Sequence, residues 1–238
     1  VALSGYGACL VDPPGDAIER AKPFFAHPEV AGRCVHLDLE VSDPKEAITA
    51  WNPMSMVGLP HHLISQRTTL IVAGFAAATG WTGTTTTRAI AIVTRAVAAL
   101  LEIASVLRNI EEAQPTFFQI RTLLCDEEWR NRIAPYLSET NRRYWVEDFK
   151  KFQASETNPI TNLFDRLETI TALRANLGQP HCTYRARAAM DNHQIVMFSA
   201  GSLGDTAALA ANLFFYLEKA VNNDQEKEPI KIYMNKVD

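Results

Sequence analysis

The sequence predicts an α/β protein in which a mostly parallel β-sheet carries a large helical unit. Short apolar runs typical of buried strands lie near both ends of the chain, and the long stretch between them has helical periodicity with almost no β-type alternation. The simplest arrangement is a sheet domain assembled from 1–58 and 181–238, with an all-α domain inserted at 59–180.

The composition is that of an ordinary globular protein. Of the 238 residues, 47% are apolar and 21% are charged, and the formal net charge of -4 argues against a chain that coats nucleic acid by its bulk charge. A local basic surface remains compatible with this balance. The four cysteines lie far apart with no CxxC pair, so neither a zinc knuckle nor a disulfide framework is indicated, and a reducing, cytoplasmic setting is expected.

The first part of the chain alternates strand and helix, as parallel sheets do. The run "YGACLV" at 6–11 is apolar and ends in the turn "DPPGD", and "CVHLDL" at 34–39 alternates with period two. The segment between them, "AIERAKPFFAHPEV", has a weak helical pattern that Pro23 is expected to break. The first residues carry no cleavage signal and are typical of a segment cut from a longer protein.

The middle of the chain is predicted to be helical. The segment "TRAIAIVTRAVAALLEIASVL" carries an apolar stripe, which Arg88, Arg95 and Glu102 interrupt. Because no run of about 18 uncharged apolar residues occurs, no membrane span is expected. A helix at "NRRYWVEDFKKF" has Ser138 or Thr140 as its candidate N-cap.

The last part of the chain returns to a strand pattern. Gly178 is the expected C-cap of the final helix in the middle region. After Pro180, "HQIVMFSAG" reads as a buried strand that enters a loop of small residues, "LGDTAALAANLFFYLEKAV" as a helix and "IKIYM" as a further strand.

Polar residues at the expected strand ends are candidates for chemistry. Asp12 and Asp16 in "VDPPGD" could meet a metal or a phosphate-bound water, because ligands of open α/β sheets lie at the carboxyl ends of strands, or they could serve a turn and a helix cap. His36, Asp38 and Glu40 share one strand face, which suits either a metal or a hydrogen-bonded surface. Both alternatives stay open in each case.

The loop "SAGSLGD" resembles a phosphate-binding loop, because small residues expose backbone N–H groups ahead of a helix. It lacks the lysine that makes a P-loop specific, so a tight strand-to-helix turn is the alternative.

Basic and aromatic residues also gather in the second half of the helical region. Such residues can line a path for a single nucleic-acid strand, but acidic residues among them favour a helix surface with internal salt bridges. The set comprises Arg121, Arg130, Arg132, Arg142, Arg143, Lys150 and Lys151, beside Trp129, Tyr144, Trp145 and Phe149.

The order of these motifs resembles the conjugative DNA-transfer ATPases of type IV secretion systems, the TraG/TraD-like coupling proteins of the HerA/FtsK group. In that family, a strand ending in DPxG and an acidic residue follows the P-loop helix, as in "VDPPGD", and an aromatic-Asn-Pro turn follows later, as in "WNPM". Further matches, in order, are "LLCDEEWRNRI", "YWVEDF", "LRANLGQ" and "MDNHQIVMFSAGSLGD".

The resemblance implies a RecA-like P-loop NTPase core with a partial, mostly parallel sheet and an inserted all-α domain. It implies ATP and Mg²⁺ as cofactors and a homo-oligomeric ring of six copies. The partners that it implies are single-stranded DNA and type IV secretion or relaxosome proteins. The expected location is the cytoplasm, at the cytoplasmic face of the inner membrane for a full-length protein. No resident metal site of the chain itself is predicted.

The resemblance also assigns residues to the nucleotide site. Its nucleotide side would be formed by Asp12, Gly15, Asp16, Ser199 and Gly201.

Two departures from the family bear on catalysis. Asn235 and Lys236 occupy the positions of the family's catalytic Asp-Glu pair, and no P-loop motif occurs in the sequence. Asparagine lacks the charge that helps to hold Mg²⁺, and lysine cannot act as the carboxylate that activates water.

We therefore expect a fragment or degenerate copy of an ATP-driven DNA-transfer motor, without ATPase activity in this form. The alternative is a non-enzymatic adaptor whose helical part binds DNA or a partner protein, with Arg142, Arg143, Lys150 and Lys151 as the candidate DNA contacts. A small-molecule enzyme would need a convergent polar pocket, which the sequence does not display.

Overall fold

The computed structural model describes residues 5–39, 50–81, 83, 86–201, 210–216 and 231–234. Within them, the protein is a mixed α/β structure with a small parallel sheet and many helices. All the helices between 61 and 191 lie between the second and third strands of the sequence.

Among the described residues the sheet has four strands in the order β2-β3-β1-β4, and every pair of them is parallel. Ile195 lies opposite both Ala8 and Cys34, while Val11 lies opposite Met234. The third strand is buried along its whole length, as is typical of a strand covered on both faces of a parallel sheet. The strands are β1 (Ala8–Val11), β2 (Cys34–Asp38), β3 (Ile195–Ser199) and β4 (Lys231–Met234).

Helices α1 (Asp16–Phe25) and α2 (Pro28–Ala31) connect β1 to β2. The expected break at Pro23 is wrong, since α1 continues through this residue. Pro23 lies in the last turn, where its missing N–H removes only one helical hydrogen bond, and the next turn is closed by Ala26 N donating to Lys22 O at 3.0 Å.

In the predicted helical region, every regular element of the described residues is a helix or a helical turn, and loops connect them. Ser138 is the N-cap of a short helix, its Oγ accepting from Asn141 N, and Gly178 follows the last residue of another helix as predicted. The helices are α3 (Ile64–Thr79), α4 (Thr87–Val106), α5 (Gln119–Cys125), α6 (Glu127–Ile133), α7 (Glu139–Arg143), α8 (Ala154–Thr169), α9 (Thr171–Leu177) and α10 (Ala186–Asp191).

A π-helical turn at Tyr144–Asp148 continues directly from α7, and a 3₁₀ turn at Phe149–Lys151 follows it. The sequence pattern predicted an ordinary α-helix here. A π turn is wider than an α turn, so it rotates the side chains that follow it relative to those before it.

The sheet and the helices share one continuous hydrophobic core. Phe198 of β3 stacks on Phe214 with ring centroids 4.5 Å apart, and Phe214 meets the edge of Trp51 at 5.0 Å. Trp51 N in turn donates to Asn176 O of α9 at 2.9 Å. This aromatic stack joins the centre of the sheet to the helical part.

The turn "WNPM" is held in place by the buried side chain of Asn52. Its Nδ2 donates to Pro115 O at 2.9 Å and Pro180 O at 3.0 Å, while its Oδ1 accepts from Met54 N at 3.0 Å. All the hydrogen-bonding groups of the amide are thereby used within the protein. The turn consequently ties together three chain segments that are distant in the sequence.

Helix α4 is the one helix of the described residues whose length and composition would allow it to cross a membrane, with a mean hydropathy of 1.9. However, 61% of this stretch is buried inside the protein. Its Glu102 accepts hydrogen bonds from Ser138 N and Asn141 Nδ2, both at 2.9 Å. These contacts are those of a helix in a protein core, and such a helix can have the same length and apolar composition as a membrane-spanning one.

Candidate functional site

The loops after β1 and β3 meet at the carboxyl edge of the sheet. Asp12 N donates to Phe198 O at 2.9 Å, and Ala200 N donates to Pro13 O at 3.0 Å. Gly15 and Gly201 both have positive φ angles, of 85° and 53°, which side-chain-bearing residues adopt rarely. The structure therefore brings the loop of Asp12 and Gly15 together with that of Ser199 and Gly201.

The carboxylate of Asp12 is fully buried and serves as the cap of α1. Its Oδ2 accepts from Ala17 N at 2.7 Å and from Ile18 N at 3.0 Å. These N–H groups are two of the donors that a helix leaves unpaired at its start, and a phosphate bound there would need them. Asp12 therefore already occupies the anion position at the start of α1, whereas Asp16 is exposed in the first turn.

Ser199 lies between His36 and Asp38 in a chain of hydrogen bonds that joins β3 to β2. Its Oγ donates to Asp38 Oδ1 at 3.0 Å and lies 2.9 Å from His36 Nε2. An ionised carboxylate only accepts, so the hydroxyl proton points to Asp38 and His36 Nε2 must be the protonated ring nitrogen. The tautomer of His36 follows from this network.

Burial lowers the pKa of His36 below its ordinary value. The charge of Lys22 also lowers this pKa, whereas the charge of Asp38 raises it. The imidazole is therefore favoured in its neutral form. In a serine hydrolase, histidine takes the proton of the serine, but here that proton is directed to Asp38 and the ring nitrogen donates to the hydroxyl. The trio stabilises the β2–β3 pair and does not have the arrangement of a catalytic triad.

No metal centre is formed by the described residues, where no three His, Cys, Asp or Glu side chains come together. Glu40, the third member of the predicted strand face, lies outside the described residues. His36 and Asp38 therefore match the predicted hydrogen-bonded strand surface, since both bond to Ser199.

Asn235 and Lys236 also lie outside the described residues. The strand that precedes them, β4, ends at Met234 opposite Val11, one residue before Asp12. The end of β4 therefore lies at the same sheet edge as the Asp12 turn.

Most of the basic residues in the helical part have partners within the protein. Lys150 pairs with Glu127 at 3.0 Å, and Lys151 pairs with Asp148 at 2.7 Å. The buried Arg130 donates to the carbonyl oxygens of Leu123 and Leu124, both at 2.9 Å, at the end of α5. These contacts match the predicted alternative of a helix surface with internal salt bridges.

The aromatic residues of the same region pack against arginines and against one another. Arg95 lies 5.3 Å from the centre of the Tyr144 ring, and Arg130 lies 5.0 Å from that of Phe149. Trp145 is almost fully buried and contacts Phe149 at 4.8 Å between ring centroids. Rings that are used in this way do not form an exposed stacking platform for bases.

Arg142 and Arg143 are exposed, and neither forms an ion pair with another described residue. Arg108, Arg132, Arg166 and Arg174 are likewise exposed without an ion pair to another described residue. Arg142 and Arg143 are neighbours at the end of α7. They line an open groove of about 500 Å³, which we call the arginine groove. The groove is also lined by Asn131, Ala134, Pro135, Glu139, Val146 and Glu147.

The acidic residues that the sequence places among the basic ones include both carboxylates of the arginine groove, Glu139 and Glu147. Glu139 and Glu147 lie four residues before and four residues after Arg143, a spacing that predicts proximity on a helix.

No protein-family model matches this chain, and no curated protein is significantly similar to it. The resemblance to conjugative ATPases thus rests on the order of the sequence motifs. What the structure adds is the spatial arrangement of the two sheet-edge loops and of the arginine groove.

Proposed function

We propose that this chain is a partial or degenerate RecA-like nucleotide-binding core with an inserted all-α domain, from a motor that moves DNA in conjugation. The observation that carries the proposal is the parallel sheet. Its strands come from both sides of the helical region, and its β1 and β3 loops, both assigned to the nucleotide side, meet at one edge.

On this proposal, the cofactors are ATP and Mg²⁺, and the partners are single-stranded DNA, other copies of the chain in a hexameric ring and proteins of the type IV secretion or relaxosome machinery. The location would be the cytoplasm, and for a full-length protein the cytoplasmic face of the inner membrane.

We further propose that the chain does not hydrolyse ATP in this form. Asp12 caps α1 with the carboxylate that would otherwise face a metal or water. Asn235 and Lys236 cannot supply the charge and the base of an Asp-Glu pair. Loss of a general base alone typically lowers a rate by about 10² to 10⁴.

The test is ATP turnover by the purified chain, measured as released phosphate with Mg²⁺ and with excess EDTA, in the presence and absence of single-stranded DNA. We expect no Mg²⁺-dependent release above the background. Sustained turnover that EDTA abolishes, and that a Gly201→Val substitution in the β3 loop reduces, would contradict the inactivity.

The second candidate is an adaptor whose helical part binds a partner. It is favoured by Arg142 and Arg143, which lie exposed in the arginine groove without an ion pair to another described residue, since such charges are available for recognition. If the partner is DNA, its binding should weaken steeply as salt is raised, because each phosphate contact releases a counterion. Lys150 and Lys151, which already have carboxylate partners, should contribute less.

A further inference from the structure

The arginine groove combines two cations with two carboxylates on one surface. Glu139 and Arg142 are three residues apart and Arg143 and Glu147 are four apart, spacings at which oppositely charged side chains pair on regular helices. Neither pair forms an ion pair here, and the π turn that follows Arg143 departs from the regular helix that the second spacing assumes. Arg143 acts electrostatically on Asp148, which itself pairs with Lys151, but none of the four groove charges is held in an ion pair with another described residue.

The arginine groove stands on a fixed support. The side chain of Asn141, in the middle of α7, is buried and donates to Glu102 of α4, which also binds Ser138 N. Trp145, on the inner side of the π turn, is buried among aromatic rings. Because both segments that carry the arginines and Glu147 are anchored, little ordering is needed when a ligand binds.

The π turn contains a buried polar group whose lack of a hydrogen bond within the described part of the chain reduces the stability of the fold. The indole Nε1 of Trp145 is buried and has no hydrogen-bond partner among the described residues. Buried donors are nearly always paired, and π turns within helices occur frequently at functional sites. Trp145 itself does not line the arginine groove, but its neighbours in the π turn, Val146 and Glu147, do.

The charges of the arginine groove select the kind of ligand. A nucleic-acid backbone presents only negative groups, and Glu139 and Glu147 would repel the phosphates beside those that bind Arg142 and Arg143. A peptide with a single acidic side chain avoids this conflict, because its backbone N–H groups or a basic neighbour can face the glutamates. Pro135 and Val146 offer apolar contact next to the charges.

We propose that the arginine groove binds a segment of a partner protein in which one acidic side chain, flanked by apolar and neutral or basic residues, is held by Arg142 and Arg143. Guanidinium groups suit this task, since they bind carboxylates through two parallel hydrogen bonds. The exposed Tyr136, which follows Pro135 and is 62% accessible, extends the surface with a residue type that is enriched in protein interfaces. The inference rests on the second proposed function, a binding role of the helical part, and is independent of ATP hydrolysis.

The experiment is a selection of phage-displayed random dodecapeptides on the immobilised full chain. It is repeated on Arg142→Ala/Arg143→Ala and on the control variant Lys150→Ala/Lys151→Ala, whose lysines lie outside the groove. We expect the wild type and the control to enrich peptides with one acidic position next to apolar residues, and the arginine variant to lose this enrichment. Unfolding in urea verifies that all three proteins are folded.

The best selected peptide is then labelled and titrated by fluorescence anisotropy. Changing its acidic residue to the neutral amide should weaken binding about tenfold or more, since a charge-assisted pair becomes a neutral hydrogen bond. Glu139→Gln/Glu147→Gln should increase the tolerance for a second acidic residue in the peptide.

Three outcomes would overturn the inference. They are the absence of any enriched motif, a basic or purely apolar motif, and equal enrichment on the arginine variant. A parallel titration with single-stranded oligo(dT) separates this failure from that of the adaptor role. Salt-sensitive binding of the oligonucleotide without peptide enrichment would leave a binding role in place with a different partner, whereas binding of neither probe would remove both proposals.

Discussion

The sheet edge and the arginine groove contain similar polar side chains but use them differently. At the sheet edge, Asp12 receives two backbone N–H groups, and Ser199 bridges His36 and Asp38. In the arginine groove, Arg142 and Arg143 have no ion-pair partner among the described residues. Polar groups of the first region therefore contribute mainly to stability, whereas those of the second remain free for an external ligand.

The largest expected effect is the loss of stability on removing the Asp12 carboxylate. Asp12→Ala leaves two N–H groups of α1 unpaired in a buried position, which should lower the free energy of unfolding by about 2 kcal/mol. Urea unfolding followed by circular dichroism measures it.

The matched control is Asp16→Ala, which removes an exposed carboxylate from the first turn of the same helix. Only its interaction with the helix dipole is lost, about 0.5 kcal/mol. Equal effects of the two substitutions would show that the cap at Asp12 is not a stabilising contact.

A smaller effect is expected from His36 as the pH changes. Burial lowers the pKa of His36 below its value of 6.5 in an unfolded chain, although Asp38 and Glu19 act in the opposite direction. Below about pH 6.5 the unfolded state therefore binds more protons, and the free energy of unfolding should fall as the pH falls until the folded state is protonated as well.

His36→Gln should flatten this part of the profile of stability against pH, measured by urea unfolding at a series of pH values. A slope that persists in His36→Gln would assign the pH dependence to other groups.

The smallest effect on stability should come from the arginine groove. Arg142→Ala/Arg143→Ala removes two exposed side chains without ion-pair partners, so the free energy of unfolding should change by less than about 0.5 kcal/mol. A loss comparable to that of Asp12→Ala, in the same urea assay, would show that the arginines are structural and would remove the contrast between the two regions.

The sequence predicted the sheet strands well, because each is a short apolar run bounded by turn residues. It also predicted the helical region and the caps at Ser138 and Gly178, since periodicity and capping are local properties. The continuation of α1 through Pro23 was missed, because the penalty of a proline depends on its distance from the helix end.

The sequence predicted which residues belong to the candidate sites, but it could not predict the contacts that each of them makes. The choice between a ligand-binding Asp12 and a capping Asp12 depends on the conformation of the whole turn, and the spacing of residues allows both. Likewise, Lys150 forms a salt bridge with Glu127 of α6, and the distance between the two residues in the sequence means that no local pattern predicts this contact. The π turn at Tyr144–Asp148 has no sequence signature comparable to that of a helix cap, so the open arrangement around Arg143 could not be foreseen.

The parallel sheet has a consequence for how the protein folds. β1 pairs with β3 and β4, from which it is separated by the whole helical region, so these pairs cannot form until the ribosome has synthesised that region and the strands after it. The helices between β2 and β3 make many contacts among themselves and can form earlier. We therefore expect helices to form first during synthesis and the sheet to close last, in a slow step dominated by the entropy of joining distant segments.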